Sequence, residues 1–128
     1  MNVADSSAWL EYFGDGENAS EFAGAIESPE TLVVPVLTLF EVFKRTCQIK
    51  DEASAFEAAA VMLQGRVADL TASLALDAAR LSLETGLAMA DSLILATARS
   101  EGATLWTQGA HFAGLQQVEY RAKPGSGD

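Results

Sequence analysis

The stretch "MADSLILATARSEGATLWTQGAHF", residues 89–112, determines the fold that we predict for this chain. Its first part, up to Glu101, reads as an apolar helix that ends at Gly102, a residue type that commonly terminates helices. "TLWT" (104–107) then reads as a buried strand, and a helix leading directly into such a strand is typical of parallel α/β sheets. One acid, Asp91, stands at the head of this helix, and Gly109 lies in the polar loop after the strand.

The rest of the chain repeats this alternation. "NVAD" is read as the end of a first strand, and further strands are predicted at 31–35, 66–70 and 118–120. Helices are predicted at "SAWLEYF", 17–27, about 38–49, 51–64 and 72–85. We therefore predict a three-layer α/β/α sandwich around a central parallel sheet of four to five strands. The prediction places one domain at residues 1–121 and a flexible C-terminal tail at 122–128.

Side-chain periodicity also predicts which residues are buried. In the 51–64 helix, apolar residues recur at the i, i+3, i+4, i+7 positions of one face, and we expect this face to point inward: Phe56, Ala59, Ala60 and Leu63. Trp106, on a predicted central strand, is expected in the core.

Composition excludes several classes of protein. With 49% apolar residues among 128, the chain has ample material for one core. No uncharged apolar run reaches the roughly 18 residues of a membrane span, and "MNVADSSAWL" lacks the basic start of a secretory signal. Cys47 and His111 are the only residues of their types, which excludes an internal disulfide and a Cys/His zinc site. We expect a cytoplasmic protein without membrane contact.

The net charge of −10 bears on possible partners. A surface this acidic does not hold phosphate backbones by bulk electrostatics. A protein of this charge that acts on nucleic acid needs a local source of positive charge, such as a metal ion held by carboxylates. The alternative is that the acidity only keeps the protein in solution.

Three acids lie where strands give way to helices. Asp5 follows the first strand, Glu41 lies early in the helix after Pro35, and Asp91 opens its helix. In parallel sheets, sites form at the carboxyl ends of the strands. Each acid also has an ordinary explanation, because Asp5 could be a helix cap, Thr38-x-x-Glu41 has capping-box spacing, and Asp91 opposes a helix dipole.

The combination is less ordinary, because apolar residues surround all three acids. Carboxylates brought together at the margin of a core raise one another's pKa or repel. A bound divalent cation resolves this conflict, and ligation by oxygen alone suits Mg²⁺ or Mn²⁺. Hydroxyls of Ser7 and Thr107 could complete the shell.

The sequence "NVADSSAWLEYF … TLVVPVLTLFEVFKR … GLAMADSLILATARSEGATLWTQGAHFAGL" resembles a PIN domain, and within that family the VapC-type toxins. The resemblance runs from Asp5 to about Tyr120, and "ADSLILATA" followed by "LWTQ-x-A-x-F" is its most specific part. It implies a metal-dependent endoribonuclease with Asp5, Glu41, Asp91 and Thr107 as catalytic residues. The first three would be ligands of Mg²⁺ or Mn²⁺.

The resemblance also contains a departure. The family's fourth acid falls at Gly109, and a further position that often carries Asp holds His111. We therefore expect reduced or conditional cleavage, and we expect His111 to be an ordinary polar loop residue. The alternative is an impaired PIN-fold protein that binds antitoxin or RNA without cutting.

Partners follow from the same resemblance. It implies an RNA substrate, a VapB-like antitoxin that blocks the acidic cleft, and a homodimer. Ser7, Lys44 and Arg45 are the candidate substrate contacts, with a solvated helix face as the alternative for the two basic residues. A phosphoryl-accepting signalling domain is a third reading, but a phosphatase of that kind would need an Asp where the chain has Ser7.

Overall fold

The computed structural model describes residues 1–125. The order of elements alternates strands and helices as predicted: β1 Asn2–Ala4, α1 Ser6–Phe13, α2 Ala19–Ile26, β2 Val33–Pro35, α3 Val36–Ile49, α4 Glu52–Met62, β3 Arg66–Ala68, α5 Ala72–Thr85, α6 Met89–Ser100, β4 Thr104–Thr107 and β5 Val118–Tyr120. Short 3₁₀ turns occupy Pro29–Thr31 and Ala110–Phe112. Of the predicted tail, residues 126–128 lie outside the described residues.

All five strands run parallel, and they form two small sheets. One has the order β1-β4-β5 and the other pairs β2 with β3. A single parallel bridge between Asn2 and Leu32 joins them edge to edge, so the strand order across the molecule is β3-β2-β1-β4-β5. The carboxyl ends of the strands therefore meet along one side of the molecule.

Helices cover both faces of the strands. Successive strand residues point to opposite faces: Val3 and Leu105 pack with α5 and α6, whereas Ala4 and Trp106 pack with the helices of the other side. This arrangement confirms the predicted three-layer sandwich. Trp106 is only half-buried, because its ring lies at the margin of the second cluster.

Local sequence explains where the helices begin and end. Asp51 and Thr71 cap α4 and α5 by accepting backbone N–H bonds from Ser54 and Leu74. Gly86 ends α5 with a φ of 76°, a conformation that glycine adopts without steric cost.

Helix α3 begins earlier than the sequence predicted. It starts directly after Pro35, and the Thr38 hydroxyl donates to the Pro35 carbonyl at 2.7 Å. Glu41 therefore lies in the second turn of α3, and the capping-box alternative for Thr38 and Glu41 is wrong.

The predicted inward face of α4 is also wrong. Phe56 is 59% exposed and Leu63 is 56% exposed, whereas the buried residues are Ala55, Ala58 and Met62. Small or apolar residues occur on almost every side of α4. Apolar spacing therefore does not distinguish the face that is buried from the face that is exposed. The Phe56 ring instead packs on Phe43 of α3, with 5.0 Å between the centroids.

No single helix within residues 1–125 is long and apolar enough to cross a membrane. Only α5 and α6 taken together reach that length and apolarity, and they meet at 114°.

Candidate functional site

The site begins with Asp5, the residue that follows β1 and caps α1. Asp5 is 4% exposed. Its Oδ1 accepts from the backbone N–H of Ala8 at 3.0 Å and from the hydroxyl of Ser7 at 2.6 Å. Its Oδ2 accepts from the hydroxyl of Thr107 at 2.6 Å. Both carboxylate oxygens are therefore fixed in place.

Neighbouring loops fix these hydroxyls in turn. β1 and β4 are adjacent, so Thr107 at the end of β4 lies beside Asp5. The Ser7 hydroxyl accepts from the backbone N–H of Gln108 at 2.9 Å, and the Thr107 hydroxyl accepts from that of Gly109 at 2.8 Å. Because each hydroxyl accepts from the loop, its proton is directed to Asp5. Ser7 and Thr107 thus act first as orienting residues for Asp5.

Burial raises the pKa of Asp5 above its ordinary value of 3.8, although the hydrogen bonds from Ser7, Thr107 and Ala8 oppose the shift. The negative charge of Asp91 raises this pKa further. The buried carboxylate is therefore costly to ionise without a nearby positive charge.

Asp91 lies in the first turn of α6 and lines one cleft together with Asp5. Its pKa is raised by burial and is held down in part by His111. His111 Nε2 lies 3.4 Å from Asp91 Oδ2. The expectation that His111 is an ordinary loop residue did not anticipate this contact, since position 111 is distant from 91 along the chain.

Glu41 lies in the second turn of α3. Burial raises its pKa, hydrogen bonding with Ser6 opposes the shift, and the negative charges of Asp91 and Asp5 add to it. Within the described residues, its Oε1 is buried without a hydrogen-bond partner. The three predicted acids are therefore close enough to affect one another's ionisation.

Asp5 and Asp91, but not Glu41, line a cleft of about 380 Å³. Its lining joins the two strand ends, the start of α6, the 109–112 turn and the C-terminal segment: Asp5, Ser6, Ser7, Asp91, Gln108, Gly109, Ala110, His111, Phe112, Tyr120 and Lys123. Gln108 is 6% exposed, and its Oε1 accepts from the Asn18 side chain at 2.8 Å. Nothing in the local sequence distinguishes Asn18 or Lys123 as site residues, because the folding of distant segments brings them here.

The donor set fits a hard divalent cation held partly through water. Within residues 1–125, no three Asp, Glu, His or Cys side chains are grouped closely enough to be ready metal ligands. Mg²⁺, however, usually keeps several waters and takes only one or two carboxylates. Asp5 and Asp91 on the cleft wall satisfy that requirement. Glu41 Oε1, which is buried without a hydrogen-bond partner, is a nearby acceptor outside the cleft lining.

Two predicted substrate contacts do not line this cleft. Lys44 and Arg45 are exposed on α3. The Lys44 ammonium lies 5.7 Å from the centre of the Phe40 ring, and Arg45 donates to the Gln48 side chain at 3.3 Å. The remaining predicted site residues, Asp5, Ser7, Glu41, Asp91 and Thr107, gather at the strand ends.

Gly109 occupies a tight position in the cleft wall. A Cβ there would lie 3.1 Å from the Phe112 ring and 3.2 Å from the Thr107 hydroxyl. Its φ of −76° is open to any residue. A side chain at 109 thus requires a shift of a few tenths of an ångström and no change of backbone conformation.

Solved structures with this fold include components of toxin–antitoxin pairs. A toxin–antitoxin complex from Klebsiella pneumoniae matches at 21% identity and a TM-score of 0.80, covering 96% of this chain and 99% of that chain. Mycobacterium tuberculosis VapC20 is described as a sarcin-ricin loop cleaving toxin. It matches at 20% identity and a TM-score of 0.69, covering 88% of this chain and 94% of that chain. A DNA-bound VapBC from Salmonella typhimurium matches at 14% identity and a TM-score of 0.72, covering 95% of this chain and 98% of that chain.

Curated protein sequences provide no match to the chain. A family model provides the assignment instead: the model of the PIN domain matches residues 3–117, which include every element from β1 to the loop before β5 and all the acids of the cleft. The chain belongs to the PIN domain family.

Proposed function

We propose that this protein is a metal-dependent endoribonuclease, the toxin of a VapBC-type toxin–antitoxin pair, which hydrolyses RNA phosphodiester bonds. The observation that carries the proposal is the gathering of Asp5, Glu41 and Asp91 at the strand ends, where each is buried enough to have a raised pKa. Membership of the PIN family and the likeness in fold to VapC20 support the choice of RNA as substrate.

In this proposal, Asp5, Asp91 and Glu41 hold Mg²⁺ or Mn²⁺. A bound cation would neutralise the scissile phosphate and lower the pKa of a metal-bound water. Ser7 and Thr107 keep the Asp5 carboxylate in one orientation through their 2.6 Å hydrogen bonds. Thr107 is thus a positioning residue, and its contribution to the reaction acts through Asp5.

A second candidate function is binding without cleavage. Gly109 favours it, because the cleft has no carboxylate at the position where the family resemblance expects a fourth acid. In this reading the cleft still attracts cations, including an arginine of a partner protein.

The proposed partners are a VapB-like antitoxin and a second copy of the chain. Solved relatives in fold are described as toxin–antitoxin and VapBC complexes. A carboxylate-lined cleft attracts a guanidinium for the same reason that it attracts a metal ion, so an antitoxin arginine would compete with the cation. Cytoplasmic location stays a prediction.

The test is cleavage of a panel of small structured RNAs in Mg²⁺, in Mn²⁺ and in EDTA. We expect metal-dependent cleavage, and we expect Asp5→Asn and Asp91→Asn to lower it by about a hundredfold or more, since even outer-shell changes cost ~10–100-fold in metal sites. Asp69→Asn, an exposed acid outside the cleft, is the matched control.

Two results separate the candidate functions. Cleavage that survives EDTA or both Asn variants would rule out the proposed site. RNA or antitoxin binding without cleavage in either metal would support the binding function instead.

A further inference from the structure

We propose that residues 121–123 form a fixed wall segment beside the acidic cleft, in which Lys123 lines the cleft and supplies positive charge that receives an RNA phosphate. The inference rests on the proposed function, because it takes RNA as the ligand of the cleft. It differs from the sequence-based hypothesis, in which Lys44 and Arg45 held the substrate and residues from 122 onward formed a flexible tail.

Arg121 anchors the start of this segment. Its backbone N–H donates to the Thr107 carbonyl at 2.9 Å, which extends the pairing of β5 with β4. Its guanidinium lies 5.4 Å from the centre of the Trp106 ring and pairs with Glu119 at 3.1 Å and Glu21 at 3.8 Å. Arg121 does not line the cleft, and its contacts hold the chain in place.

Asn18 fixes the next residue. Its side-chain amide donates to the Ala122 carbonyl at 2.9 Å and to Gln108 Oε1 at 2.8 Å. The backbone N–H of Asn18 itself donates to Glu11 at 2.9 Å. One side chain therefore ties the C-terminal segment to the loop after β4, and Lys123 follows directly.

Lys123 lines the cleft that also contains Asp5 and Asp91. Among the residues of the described chain that line this cleft, it is the only lysine or arginine. A chain with a net charge of −10 repels RNA at a distance. A cationic side chain in the lining of the same cleft places attraction where the phosphate must approach.

The first test measures binding apart from cleavage. A fluorescein-labelled single-stranded RNA of mixed sequence is titrated by anisotropy with full-length protein carrying Asp91→Asn, in Mg²⁺ and over a range of salt. We expect Lys123→Gln to weaken binding threefold or more. The slope of log affinity against log salt should become less negative by about 0.7, the value for one phosphate contact on a single strand.

Two lysine-to-glutamine variants accompany it. Lys50→Gln removes the same charge at a site that borders a different cavity, between α1, α3 and α4, and should leave affinity and slope unchanged. Lys44→Gln tests the sequence-based alternative. Equal effects of Lys44→Gln and Lys123→Gln, or no effect of Lys123→Gln, would overturn the inference.

The second test asks whether the anchor matters. Asn18→Leu keeps the size of the side chain but removes its hydrogen bonds to Ala122 and Gln108. We expect it to weaken RNA binding less than Lys123→Gln does, and the double variant to bind no more weakly than Lys123→Gln alone. Full additivity would show that Asn18 acts elsewhere and would overturn the fixed-wall part of the inference.

Failure of this inference is distinguishable from failure of the proposed function. Metal-dependent cleavage that is insensitive to Lys123 keeps the nuclease and removes the phosphate contact. Lys123-dependent RNA binding without any cleavage by the unsubstituted protein keeps the contact and favours the binding function.

Discussion

Asp5 is a carboxylate that the fold buries and then surrounds with two hydroxyl donors and one amide donor. Donors at 2.6 Å, 2.6 Å and 3.0 Å favour its ionised form, but burial has the larger effect on its pKa. The raised pKa values of Glu41 and Asp91 have burial as their first cause as well. Ionising these carboxyls is therefore unfavourable in the folded protein, and a bound cation would make it less so.

This unfavourable ionisation predicts a pH dependence of stability. A carboxyl whose pKa is raised in the folded state binds protons more tightly there than in the unfolded chain, so its contribution to the free energy of unfolding falls as the pH rises from its ordinary value through the raised one. We expect Asp91→Asn, measured by urea unfolding in EDTA, to stabilise the protein more at neutral pH than near about pH 4.

Exposed Asp69→Asn is the control and should give no such trend. Saturating Mg²⁺ should stabilise the unsubstituted protein but not Asp91→Asn. It should therefore reduce the gain in the free energy of unfolding that Asp91→Asn shows in EDTA. A gain for Asp91→Asn that is equal at both pH values would contradict the explanation.

We predict that replacing Gly109 by an acid increases metal binding and cleavage. Gly109→Asp adds a carboxylate to the cleft wall, so we expect Mg²⁺ affinity, measured by calorimetry, to rise about tenfold and metal-dependent RNA cleavage to rise with it. Gly109→Ala is the steric control, because its Cβ meets the same Phe112 ring and Thr107 hydroxyl without adding charge. Affinity in Gly109→Asp that is no higher than in Gly109→Ala would exclude position 109 as a metal-binding position.

The sequence predicted the acids of the site but not its full lining. Asp5, Glu41 and Asp91 were identifiable because each interrupts an apolar segment within two turns of a helix start. Asn18, Lys123 and the contact of His111 with Asp91 were not, because they depend on how loops from distant parts of the chain pack together.

At the scale of elements, boundaries set by capping residues were predicted well. Gly86 ends α5 as expected, and "TLWT" and "VEY" form β4 and β5. The inward face of α4 was wrong, because alanines make that helix apolar on every side and periodicity cannot orient such a helix. Only packing against α3 decides that Ala55, Ala58 and Met62 face the core.

The orientation of α4 predicts unequal costs for two adjacent residues. Met62 is 1% exposed and Leu63 is 56% exposed. We expect Met62→Ala to lower the free energy of unfolding by about 2–4 kcal/mol, because it leaves a cavity in the core. Leu63→Ala should cost less than about 1 kcal/mol. Equal losses in urea denaturation would contradict the observed orientation.

At the scale of the molecule, α5 and α6 expose an apolar face. Leu83 is 88% exposed, Met89 is 76% exposed and Leu70 is 48% exposed, and all three border a hollow of about 610 Å³. Exposed apolar patches of this kind mark interaction surfaces. The homodimer that the family resemblance implies has a suitable surface here.

We therefore predict that the chain sediments as a dimer and that Leu83→Glu shifts it to a monomer with unchanged far-ultraviolet circular dichroism. Leu63→Glu, a matched change at the exposed leucine that follows α4, should leave the dimer intact. A dimer that persists in Leu83→Glu would place the interface elsewhere.

The single bridge between Asn2 and Leu32 has a mechanical consequence. Asp5 belongs to the half-sheet that contains β1, whereas Glu41 follows β2 in the other half. We expect a ligand that binds both carboxylates to tie the two halves together across this bridge. Amide deuterium exchange at Val33 and Val34 should therefore slow when the cleft is filled, even though neither residue lines it.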